Sequence, residues 1–308
     1  MKKVLNLIIL LLLLLTTSAG IAGTISVGVK GWYAYWDGVP DSLSKIVDDD
    51  VDEGIEEALS GAGTVDSNTE SSKDTGKGFL TGPVLAYQSD DRLWSLSLAL
   101  MYFSSFKYST TSEGTITIGP PTNQNGEHHL DYSIDLKRRE IDIALSRSVS
   151  ARAKVFAGYK YQSLEHNLSV TGPIYISGVP VGDVDTDTEI KITSHIPTAG
   201  AGYVFPVSES IFLGLQAGVI YIIPEYTTET TDNISGEKSD HSATLDKTFG
   251  INLEAAASFL FMENLIFQAG YRYQGMRVKH TASDEDDSID VWDSFQGVTF
   301  SALYLFNP

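Results

Sequence analysis

The sequence contains no cysteine. That excludes a disulfide framework, thiolate metal sites, a cysteine nucleophile and a lipidated cysteine anchor. Basic residues are scarce as well: 21 lysines and arginines stand against 40 acids, for a net charge of -19. That balance excludes a nucleic-acid or anionic-surface binder working through broad basic patches. Beyond the first residues no stretch approaches an apolar spanning helix. What the chain does have is 27 glycines and 42% hydrophobic residues, a mixture expected of strands separated by turns.

The beginning of the chain reads differently from the rest. Lys2 and Lys3 precede a run from Val4 to Leu15 that is apolar except for Asn6, and small residues follow at Thr16, Ser18, Ala19, Gly20 and Ala22. This is the pattern of a secretory signal, expected over residues 1–22 with cleavage between Ala19 and Ala22. The apolar run is shorter than the roughly 18 to 20 residues a spanning helix needs. Residues 23–308 are expected to form a single domain, whose net charge becomes -21 once the two lysines are removed.

Period-two alternation recurs through that domain. Thr24 to Trp36 sets Ile25, Val27, Val29, Tyr33 and Tyr35 against Ser26, Gly28, Lys30 and Trp32. Arg92 to Phe103, Asp135 to Ser146, Ala151 to Gln162, Pro197 to Phe205, Ser210 to Ile223, Thr248 to Phe261, Asn264 to Gln274 and Gln296 to Phe306 follow the same rule. Lys77 to Gln88 is a weaker tenth strand of ambiguous facing, and its Pro83, which cannot donate to a ladder, suggests a bulge.

The connections alternate in length. Ser89 to Asp91, Arg147 to Ser150, Pro206 to Glu209 and Met262 to Glu263 are short; residues 37–76, 104–134, 163–196, 224–247 and 275–295 are long. Aromatics gather toward the far ends of strands, as at Tyr33 and Tyr35, Tyr102, Tyr159 and Tyr161, Tyr203 and Phe205, Tyr271 and Tyr273, and Tyr304 and Phe306. A soluble β-sandwich has no reason to build two aromatic girdles, whereas a membrane barrel does. The expected fold is therefore all-β: a closed antiparallel transmembrane β-barrel of ten strands, apolar outward and polar inward, with short periplasmic turns and five long extracellular loops.

With those segments in place the chain resembles a Gram-negative outer-membrane β-barrel protein. Ser301 to Pro308 (SALYLFNP) is similar to the terminal strand signal read by the barrel assembly machinery, although Asn307 and Pro308 follow the aromatic Phe306 that usually ends it. The resemblance implies an integral, multi-pass outer-membrane location. It implies outer-membrane lipid, lipopolysaccharide and the assembly machinery as partners.

Three groups of residues are candidates for function. Lys30, Arg138, Glu140, Asp142, Lys154, Lys160, Glu254 and Arg272 fall on the inward parity, where they either fill a narrow lumen with ion pairs or line a pore. The first loop holds twelve acids against Lys45 and Lys73. Leu43, Ile46, Val47, Ile55, Ala58 and Leu59 suggest an amphipathic helix within residues 41–60, over or into the barrel mouth. Asp48, Asp49, Asp50, Asp52 and Glu53 offer a divalent-cation site, but Glu53 stands where a calcium loop wants glycine, so a solvated acidic cap is the simpler expectation. Apolar alternation at Thr115 to Ile118, and at Ile174 to Val181 around Ser177 and Gly178, suggests hairpins above the membrane.

A ten-stranded protease of the omptin type needs an aspartate pair facing an Asp-x-His arrangement at the rim. Asp240 and His241 are adjacent instead, and His128 and His129 follow Glu127 without an aspartate pair. The expectation is a non-enzymatic barrel without a cofactor, presenting acidic loops for surface contact or envelope integrity. A narrow porin-like channel for small solutes is the alternative, and a rim hydrolase a weaker one.

Overall fold

The computed structural model describes residues 23–37, 63–70, 76–118, 124–234, 236, 238–244, 246–280 and 289–306. The expected signal at 1–22, the helix within 41–60 and the acidic group from Asp48 to Glu53 lie outside the described residues.

The described residues form thirteen strands: β1 (Gly23–Asp37), β2 (Gly63–Glu70), β3 (Gly76–Ser89), β4 (Trp94–Met101), β5 (Phe103–Ile118), β6 (Gln124–Ser148), β7 (Ala153–Ile176), β8 (Val179–Pro206), β9 (Ile211–Asp232), β10 (Lys238–Thr244), β11 (Thr248–Met262), β12 (Leu265–His280) and β13 (Ile289–Phe306). All pairings are antiparallel. The ring runs from β1 through β3, β4 with β5, β6, β7, β8, β9, β11, β12 and β13, and returns to β1. Strands β4 and β5 are one stave broken at Tyr102, so the ring has ten staves. Closure leaves no sheet edge in the wall, which satisfies every ladder amide without water and makes a sheet tolerable in hydrocarbon.

The outer surface matches that environment. Val27, Val29, Ile143, Leu145, Val155, Leu213, Leu215, Val219, Leu253, Val298 and Phe300 all point outward and are exposed. They are bordered on one side by Tyr33, Tyr35, Tyr102, Tyr159, Tyr271 and Trp292, and on the other by Trp94, Tyr203, Phe205, Phe259, Phe261, Tyr304 and Phe306. Arg147 lies over the Trp94 ring at 5.1 Å on the periplasmic side, and the Asn264 amide donates to the Tyr304 hydroxyl at 2.6 Å. Apolar centre and amphipathic aromatic borders are the two layers of a transmembrane barrel surface.

The ambiguous strand resolves with Leu80 inward and Phe79 outward. The bulge suggested by Pro83 sits on the partner stave instead: β3 pairs Val84 with Ala99 but Thr81 with Phe103, so one extra residue is absorbed near Tyr102, whose amide donates to the Thr81 carbonyl at 3.0 Å. Parity flips there, since Tyr102 faces out while Phe106 is buried inside. Gly82 permits the kink, because a Cβ on it would collide with the Leu100 carbonyl oxygen.

The long connections carry the hairpins expected around Thr115 to Ile118 and around Ser177 and Gly178, and far more strand than expected. Residues 104–134, 163–196 and 224–247 are largely not loops: β5 to β9 continue well past the aromatic border as hairpins. β2 adds to β5, and β10 adds to β9. Thr, Val and Ile sustain the alternation there, so nothing in the local sequence stops the ladder. The β7–β8 hairpin ends at Ser177 and Gly178, both with positive φ (53° and 74°), the two-residue turn that matches strand twist. On the inner face of this extension Leu130, Tyr132, Ile134, Leu168 and Val170 form a small buried cluster.

Candidate functional site

The lumen is the candidate site, and it is stratified. On β1 the inward residues climb from Lys30 through Trp32 and Ala34 to Trp36, and the chemistry changes with them.

Nearest the periplasm, the Lys30 ammonium contacts both Glu254 carboxylate oxygens at 3.3 Å. β13 and β12 separate the parent strands, so this pair reaches across the interior. Lys154 on β7 lies within the field of the same carboxylate. Asp142 sits 3.8 Å from Lys160 and keeps a third of its side chain open to water.

The next layer is dry. Arg138 Nε donates to Glu140 Oε1 at 2.7 Å, and its Nη2 also pairs with that carboxylate. Glu140 Oε2 faces Lys160 at 3.5 Å and Arg272 at 4.0 Å. Gln274 Oε1, on the opposite wall, accepts from Arg138 Nη2 at 3.1 Å, Lys160 Nζ at 3.1 Å and Arg272 Nη2 at 3.2 Å. Its amide donates to Gln162 Oε1 at 3.3 Å, and Asn252 accepts from Arg272 Nε at 3.1 Å. Bonds from β6 and β7 to β12 span the lumen from wall to wall at this level. The Trp32 ring lies between two guanidiniums, 5.1 Å from Arg138 and 4.7 Å from Arg272, and Phe295 takes Arg138 at 4.0 Å. These ring faces hold cations that share the buried Glu140 carboxylate.

Above this the inward face turns apolar, against the expectation of a polar interior throughout. Trp36, Leu80, Met101, Phe106, Leu136, Leu164, Ile190, Ile196, Ile220, Ile222, Met276 and Phe295 are all buried in one cluster. Trp36 stacks on Phe295 at 5.8 Å and meets His166 of β7 at 5.5 Å. Its indole nitrogen donates to Asp293 at 2.7 Å. A ten-stave cylinder is narrow enough for side chains from facing walls to meet, and apolar residues fill that space at lower desolvation cost than charges.

All eight charges expected inside, Lys30, Arg138, Glu140, Asp142, Lys154, Lys160, Glu254 and Arg272, are thus brought to one interior. Sequence reasoning missed Gln162, Asn252, Gln274 and Asp293, which share the inward parity but carried no further signal.

Outside the lumen the candidates remain scattered. His128 is buried while its neighbour His129 faces out, 3.4 Å from Glu113. Asp185 and Asp187 share the Asn233 amide at 3.0 and 2.9 Å. Asp240 and His241 are neighbours on β10, above the ring. Among the described residues no group of three or more His, Asp or Glu is placed to hold a metal.

No protein-family model matches the chain, and no curated protein matches it. Similar solved structures include the outer membrane protease OmpT from Escherichia coli, at 11% identity and a TM-score of 0.47 over 94% of this chain and 98% of that one. The toluene transporter TodX from Pseudomonas putida aligns at 9% identity and a TM-score of 0.36, covering 94% and 90%. Neisserial surface protein A aligns at 11% and 0.33, covering 92% and 98%. Likeness at this level passes neither proteolysis nor transport to the present chain. The chain is an integral outer-membrane β-barrel protein on the strength of its closed ring and its lipid-facing band.

Proposed function

We propose that this protein is a closed, non-catalytic barrel that serves as a rigid pedestal for the acidic sheet above the membrane, acting in surface contact or envelope integrity. The observation that carries the reading is the junction at Gln274: a single side-chain oxygen on one wall takes hydrogen bonds from Arg138 and Lys160 of the opposite wall, both at 3.1 Å. A conducting path would have to break that junction and pass the apolar layer above it. The extension carries Glu113, Glu127, Asp131, Asp183, Asp185, Asp187, Glu189, Glu225 and Glu229 beyond the aromatic border. An elongated, charged sheet is suited to contact and poorly suited to closing over a substrate.

Single-channel recording on the purified protein in planar bilayers tests this. No reproducible conductance steps are expected across salts and voltages, and regular steps would overturn the closed-barrel reading in favour of a narrow channel. Peptidase or esterase activity in detergent that is lost on Asp240→Ala or His241→Ala would overturn the non-catalytic part.

A further inference from the structure

In a chain with a net charge of -19, cations grouped on one wall are unexpected. We propose that the outward face of β3, β5 and β6, immediately above the hydrocarbon band, binds the phosphates of a phosphorylated glycolipid in the outer leaflet.

Lys77 on β3 and Lys107 on β5 are directly opposite each other in the ladder, and both are exposed. Like charges directly opposite destabilise a sheet unless an anion relieves them. On the next strand Lys137 and Arg139 also face outward, and they share one carboxylate: Glu165 lies 3.1 Å from Lys137 and 3.8 Å from Arg139. Asp135, half-buried and cross-strand from Lys107, is the other acid of the group. Four cations therefore face two carboxylates, in a molecule where acids outnumber bases almost two to one.

Their height fits a headgroup. Lys77 is the next outward residue above Phe79, which stacks on Phe300 at 5.7 Å on the lipid-facing surface. Arg139 is the next above Ile141, Ile143 and Leu145, and its guanidinium lies 5.7 Å from the ring of Tyr102 in the aromatic border. Each is the first charge met on leaving the apolar band along its strand, where phosphates sit and where the aliphatic stems of Lys and Arg reach out of hydrocarbon. On β7 and β9 the first outward charges are Glu165 and Glu225 instead, and the exposed cations Lys191 on β8 and Arg277 on β12 lie on strands that do not adjoin β3, β5 or β6, so the grouping of four cations belongs to those three strands. An arginine fork beside lysines is also the donor set that suits a phosphate monoester.

The test uses the full-length protein folded into phosphatidylcholine vesicles that contain bisphosphorylated lipid A or the same lipid without phosphates, with retained lipid measured after extraction. The native protein is expected to retain the phosphorylated form at least tenfold better. Lys77→Gln with Lys107→Gln and Arg139→Gln is expected to lower retention by roughly tenfold or more. Lys77→Arg with Lys107→Arg is expected to keep it, and Lys238→Gln on β10 to leave it unchanged. Heat-modifiable gel migration reports folding of each variant. Equal retention of the two lipids, or a glutamine variant that folds and binds as the native protein does, would overturn the proposal. So would loss of retention in EDTA, which would assign the contact to divalent cations at the acidic loops. Competition by millimolar inorganic phosphate would assign the strip to free phosphate and likewise overturn it.

Discussion

Replacing Glu140 with glutamine is the most informative single change available. The Glu140 side chain is 1% exposed and is the one carboxylate in contact with Arg138, Lys160 and Arg272, whose side chains are 0, 3 and 5% exposed. Glutamine has nearly the same shape, so packing is preserved while the negative charge disappears. Arg138 then loses its charge-assisted fork, and the three buried cations keep only the neutral oxygens of Gln162, Gln274 and Asn252 and the partly open Asp142 carboxylate 3.8 Å from Lys160. Removing one partner of a buried ion pair costs about 3–5 kcal/mol, because the charge left behind stays desolvated. For a domain of this size that corresponds to a fall in unfolding midpoint of roughly 10 °C.

The measurement is the midpoint of the shift from folded to unfolded migration, or of intrinsic tryptophan fluorescence, in detergent at fixed ionic strength. Trp32 lies between two of the cations, so its emission reports the site itself. Adding Lys160→Met to Glu140→Gln removes one unpaired cation, so the double variant should recover part of the loss and give a non-additive cycle. A Glu140→Gln change of less than about 1 kcal/mol, a value typical of an exposed pair, would refute the description of this layer as dry and mutually dependent.

Three further outcomes follow from the same geometry. Phe295→Ala deletes a ring in contact with Trp36, Phe106 and Arg138, and should cost about 3–5 kcal/mol; combined with Trp32→Ala it should produce conductance steps in bilayers where the native protein gives none. Gly82→Ala must push the Leu100 backbone away at the bulge and should destabilise by about 1–3 kcal/mol, whereas Gly214→Ala, whose nearest neighbour would be the Ala256 oxygen at 3.9 Å, should be close to neutral in the same gel assay. His166 stands above the hydrocarbon band, beside the outward-facing charge of Glu165, and burial holds its imidazole down to about 4 from the usual 6.5. Because the folded value is the lower one, the unfolded chain takes up the proton first as pH falls below about 6.5; stability is then lost progressively toward pH 4, by about 3 kcal/mol in all. His166→Phe should flatten that limb of a stability-against-pH curve, and identical curves for the two proteins would refute the assignment.

The outer wall was legible in the sequence because lipid imposes one rule on every outward position. A strand such as Leu265 to Tyr273 shows it directly, with Leu265, Phe267, Ala269, Tyr271 and Tyr273 on one parity. The inward charges followed by default, since Glu254 or Arg272 on the other parity would be intolerable in hydrocarbon. The apolar ceiling was not legible. Leu136, Ile196 and Ile220 are inward residues with the side chains of outward ones, and the bulge at Tyr102 reverses parity within one stave, so that Phe106 faces in. Partners across the lumen were hidden for a different reason: Gln274 meets Arg138 only because the ring closes at a particular register, which is a property of all ten staves together.

The stratification of that interior assigns different work to the two ends of the barrel. Asp142, Lys30 and Glu254 toward the periplasmic side keep part of their side chains exposed, so charge there is less desolvated than in the layer above. From the outer side the interior is met first as packed aromatic and aliphatic side chains, and beneath them as a network whose cations share the buried Glu140 carboxylate. A solute arriving from outside would meet a surface that repels polar molecules and then a layer that cannot open without stranding charge. On the closed-barrel reading proposed above, opening the lumen and destabilising the protein are the same event, and a pore in this cylinder would require replacing the buried network first. What remains free to vary without that cost is the sheet above the rim, where β5 to β9 lengthen by simple continuation of their own alternation and leave the wall beneath them unchanged.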